Sequence, residues 1–192
     1  MRIFLWSILL CLMASQLPAQ TFKAALVGGF NLSQIDGDRL GGFHKIGVNT
    51  GVKAVAVFSD RWELSVEMLF VQQGSSRSRT DSPLSLFDHI NLNLVEAPIM
   101  LSFRDWKVQA EAGFSYSNII NYKVISAIGD DISDQEKYKS NIFTGILGAS
   151  YFFTDKWTLN IRWAKNLASF QDRVGGDPFF GRVVSIRGLY WL

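Results

Sequence analysis

The sequence predicts an all-β protein, an eight-stranded antiparallel up-and-down transmembrane β-barrel with short periplasmic turns and long extracellular loops. Three observations predict it. Apolar and polar residues alternate with a period of two over most of the chain, and the helical period is almost absent. Short and long connections alternate between the alternating segments. The apolar positions carry more bulk than the interior of a small barrel can hold, so they must face lipid.

The composition excludes several classes of protein. The 192 residues are 48% hydrophobic, 14% aromatic and 19% charged, with one cysteine and a net charge of +2. The aromatic content excludes a disordered chain, and a single cysteine excludes a disulfide scaffold. Nineteen basic and 17 acidic residues include no basic run, so we expect no nucleic-acid partner. We also expect no cofactor.

Residues 1–19 have the layout of a secretory signal peptide, with one basic residue, an apolar run at 3–13 and a cleavage site after Ala19. Cleavage leaves residues 20–192 as one outer-membrane β-barrel domain without a thiol. Lipidation of Cys11 is disfavoured because two leucines precede it, where a lipidation signal needs a small residue. The sequence therefore predicts an exported protein.

Six segments of the mature chain alternate cleanly, and each predicts a strand with one apolar face. In chain order the apolar faces carry Phe22, Leu26 and Phe30; Ile46, Val48 and Val52; Trp62, Leu64, Val66, Met68 and Phe70; Trp106, Val108, Phe114 and Tyr116; Trp157, Leu159, Ile161 and Trp163; and Val184, Ile186 and Tyr190.

Two further segments are less regular. In 90–103 the apolar positions are even as far as Leu94 and odd from Val95. We expect a β-bulge beside Pro98 to reset the face. The segment 141–153 is apolar or small on both faces, and its orientation stays open. These two bring the count to eight strands.

Three short connections share one pattern, in which an Asp lies between an aromatic residue that ends one strand and a Trp that begins the next. They are residues 58–62, 103–106 and 153–157. Four long polar connections alternate with them, at about 34–42, 74–88, 121–139 and 166–181. Both ends of the mature chain therefore lie on the side of the short turns.

Alternation alone fits both a membrane barrel and a soluble barrel with an apolar lumen. Bulk decides between them, because Trp62, Trp106, Trp157 and Trp163 share the apolar face with other large side chains. An eight-stranded barrel has room only for packed side chains or one small ligand. The apolar face therefore contacts outer-membrane lipid. The sheet must also close, since an unpaired N–H or C=O in hydrocarbon costs several kcal/mol.

Two groups of residues follow from this arrangement. A periplasmic aromatic girdle at the membrane interface is predicted to contain Phe58, Trp62, Phe103, Trp106, Phe153 and Trp157. The lumen is predicted to hold the cations Lys23, Lys45, Lys53, Lys107, Arg162 and Arg187 and the carboxylates Glu63, Glu67, Glu96 and Glu111. Charges in so narrow a space have to pair. We therefore expect a plugged interior, with a structural polar network favoured over a transport path.

Three stretches carry a family resemblance. They read Gly-Gly-Phe-Asn-Leu-Ser-Gln at 28–34, Gly-Val-Asn-Thr-Gly at 47–51 and Val-Glu-Ala-Pro-Ile-Met-Leu at 95–101. They resemble the PorT-like outer-membrane β-barrel family, in which the third stretch reads Leu-Glu-x-Pro-Leu. The resemblance implies an outer-membrane location and, through the named member of the family, a link to type IX protein secretion. The barrel-assembly machinery is an expected partner, although Leu192 replaces the usual final aromatic residue.

Three functions remain open: a noncatalytic barrel whose extracellular loops bind a partner or ligand, a lipid-modifying enzyme, and a small pore. An enzyme would use His44 or His89, with Ser33, Ser85, Asp38 and Asp88 nearby in sequence. No spacing among these residues fixes a triad. The acidic residues within 36–38 and 130–136 do not follow the spacing of a calcium loop, so we expect no metal site. The first function is favoured.

Overall fold

The computed structural model describes residues 21–79, 81, 86–171 and 178–192. Eight strands form a closed antiparallel barrel in sequence order, with β1 also paired to β8. The strands are β1 (Thr21–Asp36), β2 (Lys45–Val57), β3 (Trp62–Ser76), β4 (Phe87–Asp105), β5 (Val108–Ser126), β6 (Asn141–Phe152), β7 (Trp157–Asn166) and β8 (Phe180–Trp191). The predicted fold class is confirmed.

The signal peptide predicted at residues 1–19 lies outside the described residues. Where the structure describes the chain, it contains no helix long and apolar enough to cross a membrane.

Large apolar side chains cover the outside of the barrel in one continuous band. On β3 this band runs from Trp62 to Phe70, which is roughly 27 Å along a strand at about 3.4 Å per residue. With a strand tilt of about 40° the band spans roughly 20 Å, close to the roughly 25 Å apolar band of outer-membrane barrels. The alternation predicted for the six regular segments is therefore the alternation between lipid and lumen.

The strand whose orientation the sequence left open is β6. Its inward positions include Ile142, Ile146 and Phe152, whereas Phe143 and Leu147 face lipid and are more than half exposed. Both faces are apolar because the outward residues contact lipid, while the inward residues pack inside the barrel above and below the polar side chains at its centre. The apolar residues of β6 therefore belong to two different environments.

The predicted bulge beside Pro98 is wrong. The pairing of β3 with β4 keeps one register on both sides of Pro98. The register of β4 against β5 shifts instead between Phe87 and His89 and between Asn93 and Leu94. The even positions Ile90, Leu92 and Leu94 are fully buried inside the barrel, and odd positions from Val95 face lipid. From Ile90 to the end of β4 the inward residues are thus the even ones. The apolar parity changes because the strand passes from the extracellular space into lipid, and the same face of the strand stays inward.

Two of the three short turns follow the predicted pattern. The amide of Phe58 donates to the carbonyl of Trp62, and the amide of Phe153 donates to the carbonyl of Trp157. The third turn differs, because β4 continues to Asp105 and Trp106 lies in the turn instead of beginning β5. Trp106 has a φ of 54°. A two-residue hairpin turn needs this left-handed conformation.

The long connections are shorter than predicted because the strands extend past the membrane. From the strand bounds given above, they occupy 37–44, 77–86, 127–140 and 167–179. The extracellular ends of the paired strands β4 and β5 extend furthest. Residues 87–94 of β4 lie beyond the apolar band, a length of roughly 27 Å along the strand, or roughly 20 Å above the membrane at the same tilt.

An apolar cap closes the extracellular end of the barrel. We define it by the buried residues Ile35, Leu40, Phe87, Ile90, Leu92, Leu94, Val124, Ile142, Phe170 and Phe179. Four strands and two long connections contribute to it. Phe87 and Phe170 both contact the ring of Phe179 edge-on, with centroids 6.0 and 6.1 Å apart. Residues above the lipid therefore form their own hydrophobic core, and the loops fold over it.

Candidate functional site

The centre of the lumen holds a group of charged side chains that we call the lumen ion cluster: Lys53, Glu67, Glu111, Arg162 and Arg187. Each projects from an inward position of a different strand, β2, β3, β5, β7 and β8 in that order. Their side chains are at most 4% exposed. Five of the ten charged residues predicted in the lumen therefore meet in one contact group.

Glu67 lies at the centre of the lumen ion cluster. Its carboxylate accepts hydrogen bonds from Nη1 and Nη2 of Arg162 at 2.9 and 2.6 Å and from Nη1 of Arg187 at 3.0 Å. Lys53 Nζ lies 3.3 Å away. Because Glu67 is on β3 and both arginines are on β7 and β8, these bonds cross the barrel. Such two-pronged arginine contacts are the stronger kind of ion pair.

Glu111 and Asn160 complete the ring of contacts. Glu111 accepts from Nε of Arg162 at 2.5 Å and from Nδ2 of Asn160 at 2.8 Å, and Lys53 Nζ lies 3.4 Å away. The side-chain oxygen of Asn160 accepts from Nε and Nη2 of Arg187 at 3.0 and 2.6 Å. Asn160 is fully buried. Its role was not predicted, although its inward parity beside Arg162 was visible in the sequence.

Gly148 allows two members of the cluster to meet. It lies on β6 in register with Glu111 on one side and Arg162 on the other. A Cβ atom here would lie 2.7 Å from Oε1 of Glu111 and 2.8 Å from Cγ of Arg162. A larger residue would therefore push apart the shortest ion pair of the cluster. In the sequence, the only signal for this close approach was a glycine on the strand that lies between the strands of Glu111 and Arg162.

The other predicted lumen charges lie outside this contact group. Glu96 is inside the barrel and accepts a hydrogen bond from Ser115. Glu63 accepts from Nε2 of Gln109 at 2.7 Å, with Lys23 Nζ 3.9 Å away. Both carboxylates are therefore bound mainly by uncharged donors.

Three lysines that we expected in the lumen lie elsewhere. Lys23 is 42% exposed at the periplasmic mouth. Lys45 is at the extracellular start of β2, and Lys107 is in the β4–β5 turn, with its Nζ 5.6 Å from the ring centre of Trp106. The prediction failed for these three because each belongs to a strand end, where inward parity no longer leads to a closed interior.

Little free space remains around the cluster. A cavity of about 30 Å³ lies beside Arg162 and Arg187, with Glu96, Asn31 and Asn49 also in its wall. This volume fits one or two water molecules. Below the cluster, Phe152 and Trp191 stack with ring centroids 6.1 Å apart. The described lumen is thus filled from Phe152 and Trp191 through its centre to its extracellular end, and a cavity of about 370 Å³ remains at the periplasmic mouth below these two rings.

The residues predicted as a periplasmic girdle lie together at the short-turn end of the barrel. Trp62 and Phe103 contact edge-on with centroids 5.1 Å apart, and Trp157 contacts Tyr190 at 5.0 Å. Trp106 is 78% exposed. A second ring of outward aromatic residues, which the sequence reading missed, lies at the other edge of the band and contains Phe30, Phe70, Tyr116, Phe143 and Trp163.

The structure does not assemble the predicted catalytic candidates. Ser33 bonds to the backbone of Gly74, and Asp38 accepts from the amide of Leu40. His44 contacts the carbonyl of Gly41 at 2.7 Å. Ser85 lies outside the described residues. Within the described residues, Asp88 forms no hydrogen bond with either histidine.

His89 instead meets two residues that were not predicted. Its Nδ1 lies 2.6 Å from Oγ of Ser76, and its Nε2 lies 3.2 Å from Nζ of Lys45. Ser76 and His89 are direct partners in the β3–β4 ladder. Only the strand register brings them together, so sequence spacing carried no signal for this contact.

Two long connections are joined by a carboxylate. Asp81 accepts from the amides of Gly41 at 3.0 Å and Ser78 at 2.7 Å, and these bonds lower its pKa. Nearby, burial raises the pKa of Asp38 to about 6, and the charges of Asp81 and Asp36 add to this effect.

The other acidic loop is also used locally. Asp131 accepts from the amide and the hydroxyl of Ser133 at 3.1 and 2.5 Å, which lowers the pKa of Asp131. Among the described residues, no group of three or more His, Cys, Asp or Glu side chains could hold a metal ion.

Comparison with known proteins identifies the family. The model of the outer membrane protein beta-barrel domain matches residues 4–180. The chain belongs to this family. As an outer membrane protein of the beta-barrel domain family it is located in the outer membrane, where its apolar band contacts lipid. A search of curated protein sequences finds no match.

Solved structures agree on the fold. Neisserial surface protein A is 14% identical, with a TM-score of 0.56 over 90% of this chain and 99% of that one. Ail, the attachment invasion locus protein of Yersinia pestis, solved with the heparin analogue sucrose octasulfate, is 12% identical, with a TM-score of 0.50 over 89% of this chain and 99% of that one. At these identities the likeness shows the fold alone.

Proposed function

We propose that this protein is a closed, noncatalytic outer-membrane barrel that binds a partner outside the cell through its extracellular loops. The observation that carries the proposal is a lumen closed by buried ion pairs, together with extracellular ends of β4 and β5 that present exposed apolar side chains above the membrane. A filled lumen leaves the outer surface as the part of the molecule able to act on other molecules.

Closure rests on the lumen ion cluster. Arginines on β7 and β8 bind Glu67 on the opposite wall, so ions cannot pass without separating buried ion pairs. Breaking a buried pair costs about 3–5 kcal/mol. We expect no steady current from the purified protein in a planar bilayer. Sustained conductance would contradict the closed barrel and favour the small pore.

The partner-binding surface that we propose lies at the extracellular ends of the paired strands β4 and β5, on the residues that precede β4 and follow β5. Leu86 is 62% exposed and Ile128 is 85% exposed. The backbone around them is held in place, because the amide of Ala127 donates to the carbonyl of Leu86 and the amide of Ser126 donates to that of Asp130. Exposed apolar side chains grouped on an ordered tip are typical of a protein–protein contact.

Site-specific photocrosslinking in intact cells tests this surface. A photoreactive residue at Ile128 or Leu86 should give the same adduct, and the Leu86 adduct should disappear when Ile128→Asp is also present. The control position is Lys137, which is exposed on the same connection and should give no such adduct. Equal labelling from Lys137, or an adduct that survives Ile128→Asp, would contradict the proposed surface.

The contact between Ser76 and His89 is the observation that bears on the alternative function, a lipid-modifying enzyme. A protonated Lys45 can only donate, so Nε2 of His89 accepts its hydrogen bond. The proton of the neutral imidazole then lies on Nδ1, which donates to the hydroxyl oxygen of Ser76. A nucleophilic serine needs the opposite arrangement, with its O–H donating to the imidazole. We therefore favour a structural role for this contact.

Mutation of the serine tests that choice. Ser76→Ala should leave the lipid composition of isolated outer membranes unchanged, as should separate replacement of His44 and His89. A changed lipid profile in the Ser76 and His89 variants, but not in the His44 variant, would establish the enzyme instead.

The resemblance to PorT-like barrels supports a more specific proposal, that the partner belongs to the type IX secretion machinery. Export of type IX cargo should then fall in an Ile128→Asp strain that still inserts the barrel, and normal export would contradict this. We also propose insertion by the barrel-assembly machinery. Depletion of that machinery should remove the folded protein from the outer membrane.

A further inference from the structure

Two cations lie side by side on the outer surface of the barrel wall. Lys165 on β7 and Arg182 on β8 are direct partners in the antiparallel ladder. In the registers of the described strands this is the only pair that sets two like charges opposite each other. Side chains opposite each other have Cβ atoms about 5 Å apart, and like charges there are destabilising. An anion beside the pair would offset that repulsion.

The pair lies at the edge of the apolar band that faces away from the short turns. Odd positions of β7 and even positions of β8 point outward. The next outward residues towards the membrane centre are Trp163, which is 43% exposed, and Val184, its cross-strand partner. Trp163 belongs to the second ring of outward aromatic residues described above. The two cations are therefore at the level of lipid headgroups in the outer leaflet.

The protein only partly neutralises these charges. Nη2 of Arg182 lies 2.6 Å from Oδ2 of Asp36 on β1, and Nε of Arg182 is buried without a hydrogen-bond partner. Lys165 is exposed and forms no ion pair with any described residue. With one carboxylate and two cations, the group keeps one net positive charge and the three N–H donors of Lys165.

Space is open beside Lys165. Its ladder partner on β6 is Gly145, which has no side chain. A Cβ at Gly145 would first meet the side chain of Leu167, at 3.2 Å. The neighbouring outward residue on the other side is Arg182. An anion arriving from the lipid can therefore approach Lys165 between the strands and contact Arg182.

We propose that Lys165 and Arg182 form a binding site for the phosphate group of an outer-leaflet lipid. The phosphate would lie between the two cations and relieve their repulsion, while the acyl chains would run down the outer surface past Trp163. Asp36 holds Arg182 in place and limits the site to one net positive charge. This favours one phosphate group on an apolar anchor over a polyanion in solution.

Native mass spectrometry of the full-length protein in neutral detergent tests the site. The probes are diphosphoryl lipid A and the same lipid without its phosphates. We expect the doubly substituted variant Lys165→Gln/Arg182→Gln to bind diphosphoryl lipid A at least tenfold more weakly. The matched control is Lys123→Gln, which removes an outward cation on β5 that is paired with Asp131 at 3.9 Å and should bind like the wild type.

The remaining arms identify the source of the phosphate. Dephosphorylated lipid should bind equally to all variants, and about 10 mM inorganic phosphate should not displace diphosphoryl lipid A from the wild type. Unchanged binding by the double variant would overturn the site. Displacement by inorganic phosphate would overturn a lipid headgroup as its ligand.

A stability measurement separates binding from simple repulsion. Lys165→Gln should stabilise the barrel in neutral micelles, because it removes the like-charge contact. Adding diphosphoryl lipid A should stabilise the wild type more than Lys165→Gln and so abolish the gain of the variant. A gain of equal size with and without this lipid would overturn the proposal.

Discussion

Replacement of Glu67 by Gln tests whether the lumen ion cluster holds the barrel together. The substitution keeps the size of the side chain and removes its charge. Three cations, Lys53, Arg162 and Arg187, lie within 3.3 Å of this carboxylate. With Glu111 as the second carboxylate, the five charges sum to +1, since three positive and two negative charges are present. After Glu67→Gln the sum is +2 in a nearly dry interior.

The expected loss of stability follows from the burial of these groups. Removing one partner of a buried ion pair costs about 3–5 kcal/mol, because the remaining charge is left uncompensated. The glutamine amide can still accept one hydrogen bond, which places the expected value near the lower end, at about 3 kcal/mol. Urea unfolding in lipid vesicles, followed by tryptophan fluorescence and by the migration of folded protein in gels, measures this difference.

Glu63→Gln is the matched control. It is the same chemical change at an inward position of the same strand, but Lys23 is 3.9 Å away and 42% exposed. Such a pair contributes about 0–1 kcal/mol. A loss for Glu67→Gln within about 1 kcal/mol of the control would refute the reasoning.

A double-mutant cycle adds a second check. Removing Arg187 as well, by Arg187→Gln, restores the charge balance of the cluster to +1. Side chains in contact show coupling energies of about 0.5–3 kcal/mol. The double variant should therefore lose less stability than the sum of the two single variants. Additive losses would show that Glu67 and Arg187 do not act on each other.

Three further predictions concern the ends and the surface of the barrel. Burial raises the pKa of Asp38 from its ordinary value of 3.8 to about 6 in the folded state. Because the folded state then holds this proton more tightly than the unfolded state, the free energy of unfolding should fall by up to about 3 kcal/mol as the pH rises from about 4 to 7. Asp38→Asn should remove that part of the pH dependence, and urea unfolding at several pH values would show an unchanged slope if the idea is wrong. Phe87→Ala should cost about 3–5 kcal/mol by leaving a void in the apolar cap, whereas Leu86→Ala next to it should cost under about 0.5 kcal/mol; comparable losses in urea unfolding would contradict a packed cap. Ile99→Arg on the lipid face of β4 should lower the free energy of unfolding by about 2–4 kcal/mol, and Asn91→Arg, on the same face but above the membrane, by about 0–1 kcal/mol. Equal losses would contradict the assignment of Ile99 to lipid and Asn91 to water.

The strands and their faces could be predicted because each depends on a local pattern. A residue such as Met68 or Ile161 is apolar at an alternate position, and only lipid accommodates that much outward apolar surface. The inward position of Glu67, Glu111 and Arg162 followed from the same alternation. The alternation predicted that each of these side chains points into the lumen, and the strand that carries the residue gave the part of the barrel wall from which it does so.

Contacts across the barrel could not be predicted in the same way. Arg162 binds Glu67 over a separation of 95 residues, and which inward cation meets which carboxylate depends on the stagger of all eight strands. The register of β3 against β4 likewise decides that Ser76 meets His89. No pattern within one strand contains that register. The pairing of Lys165 with Arg182 was hidden for the same reason.

The parity change in β4 has a physical meaning that goes beyond this one strand. Alternation reports which face avoids water, not which face points inward. Within the membrane the outward face is apolar, as at Val95 and Ile99, whereas above the membrane the outward face meets water and the inward face is apolar, as at Ile90 and Leu94. A barrel strand that leaves the lipid therefore changes its apolar parity without an extra residue in that strand, since the irregularity beside Leu94 adds its residue to β5. The change between Leu94 and Val95 marks the height of the outer membrane surface on β4, and the same sign in another barrel sequence predicts a strand that continues into a folded extracellular cap.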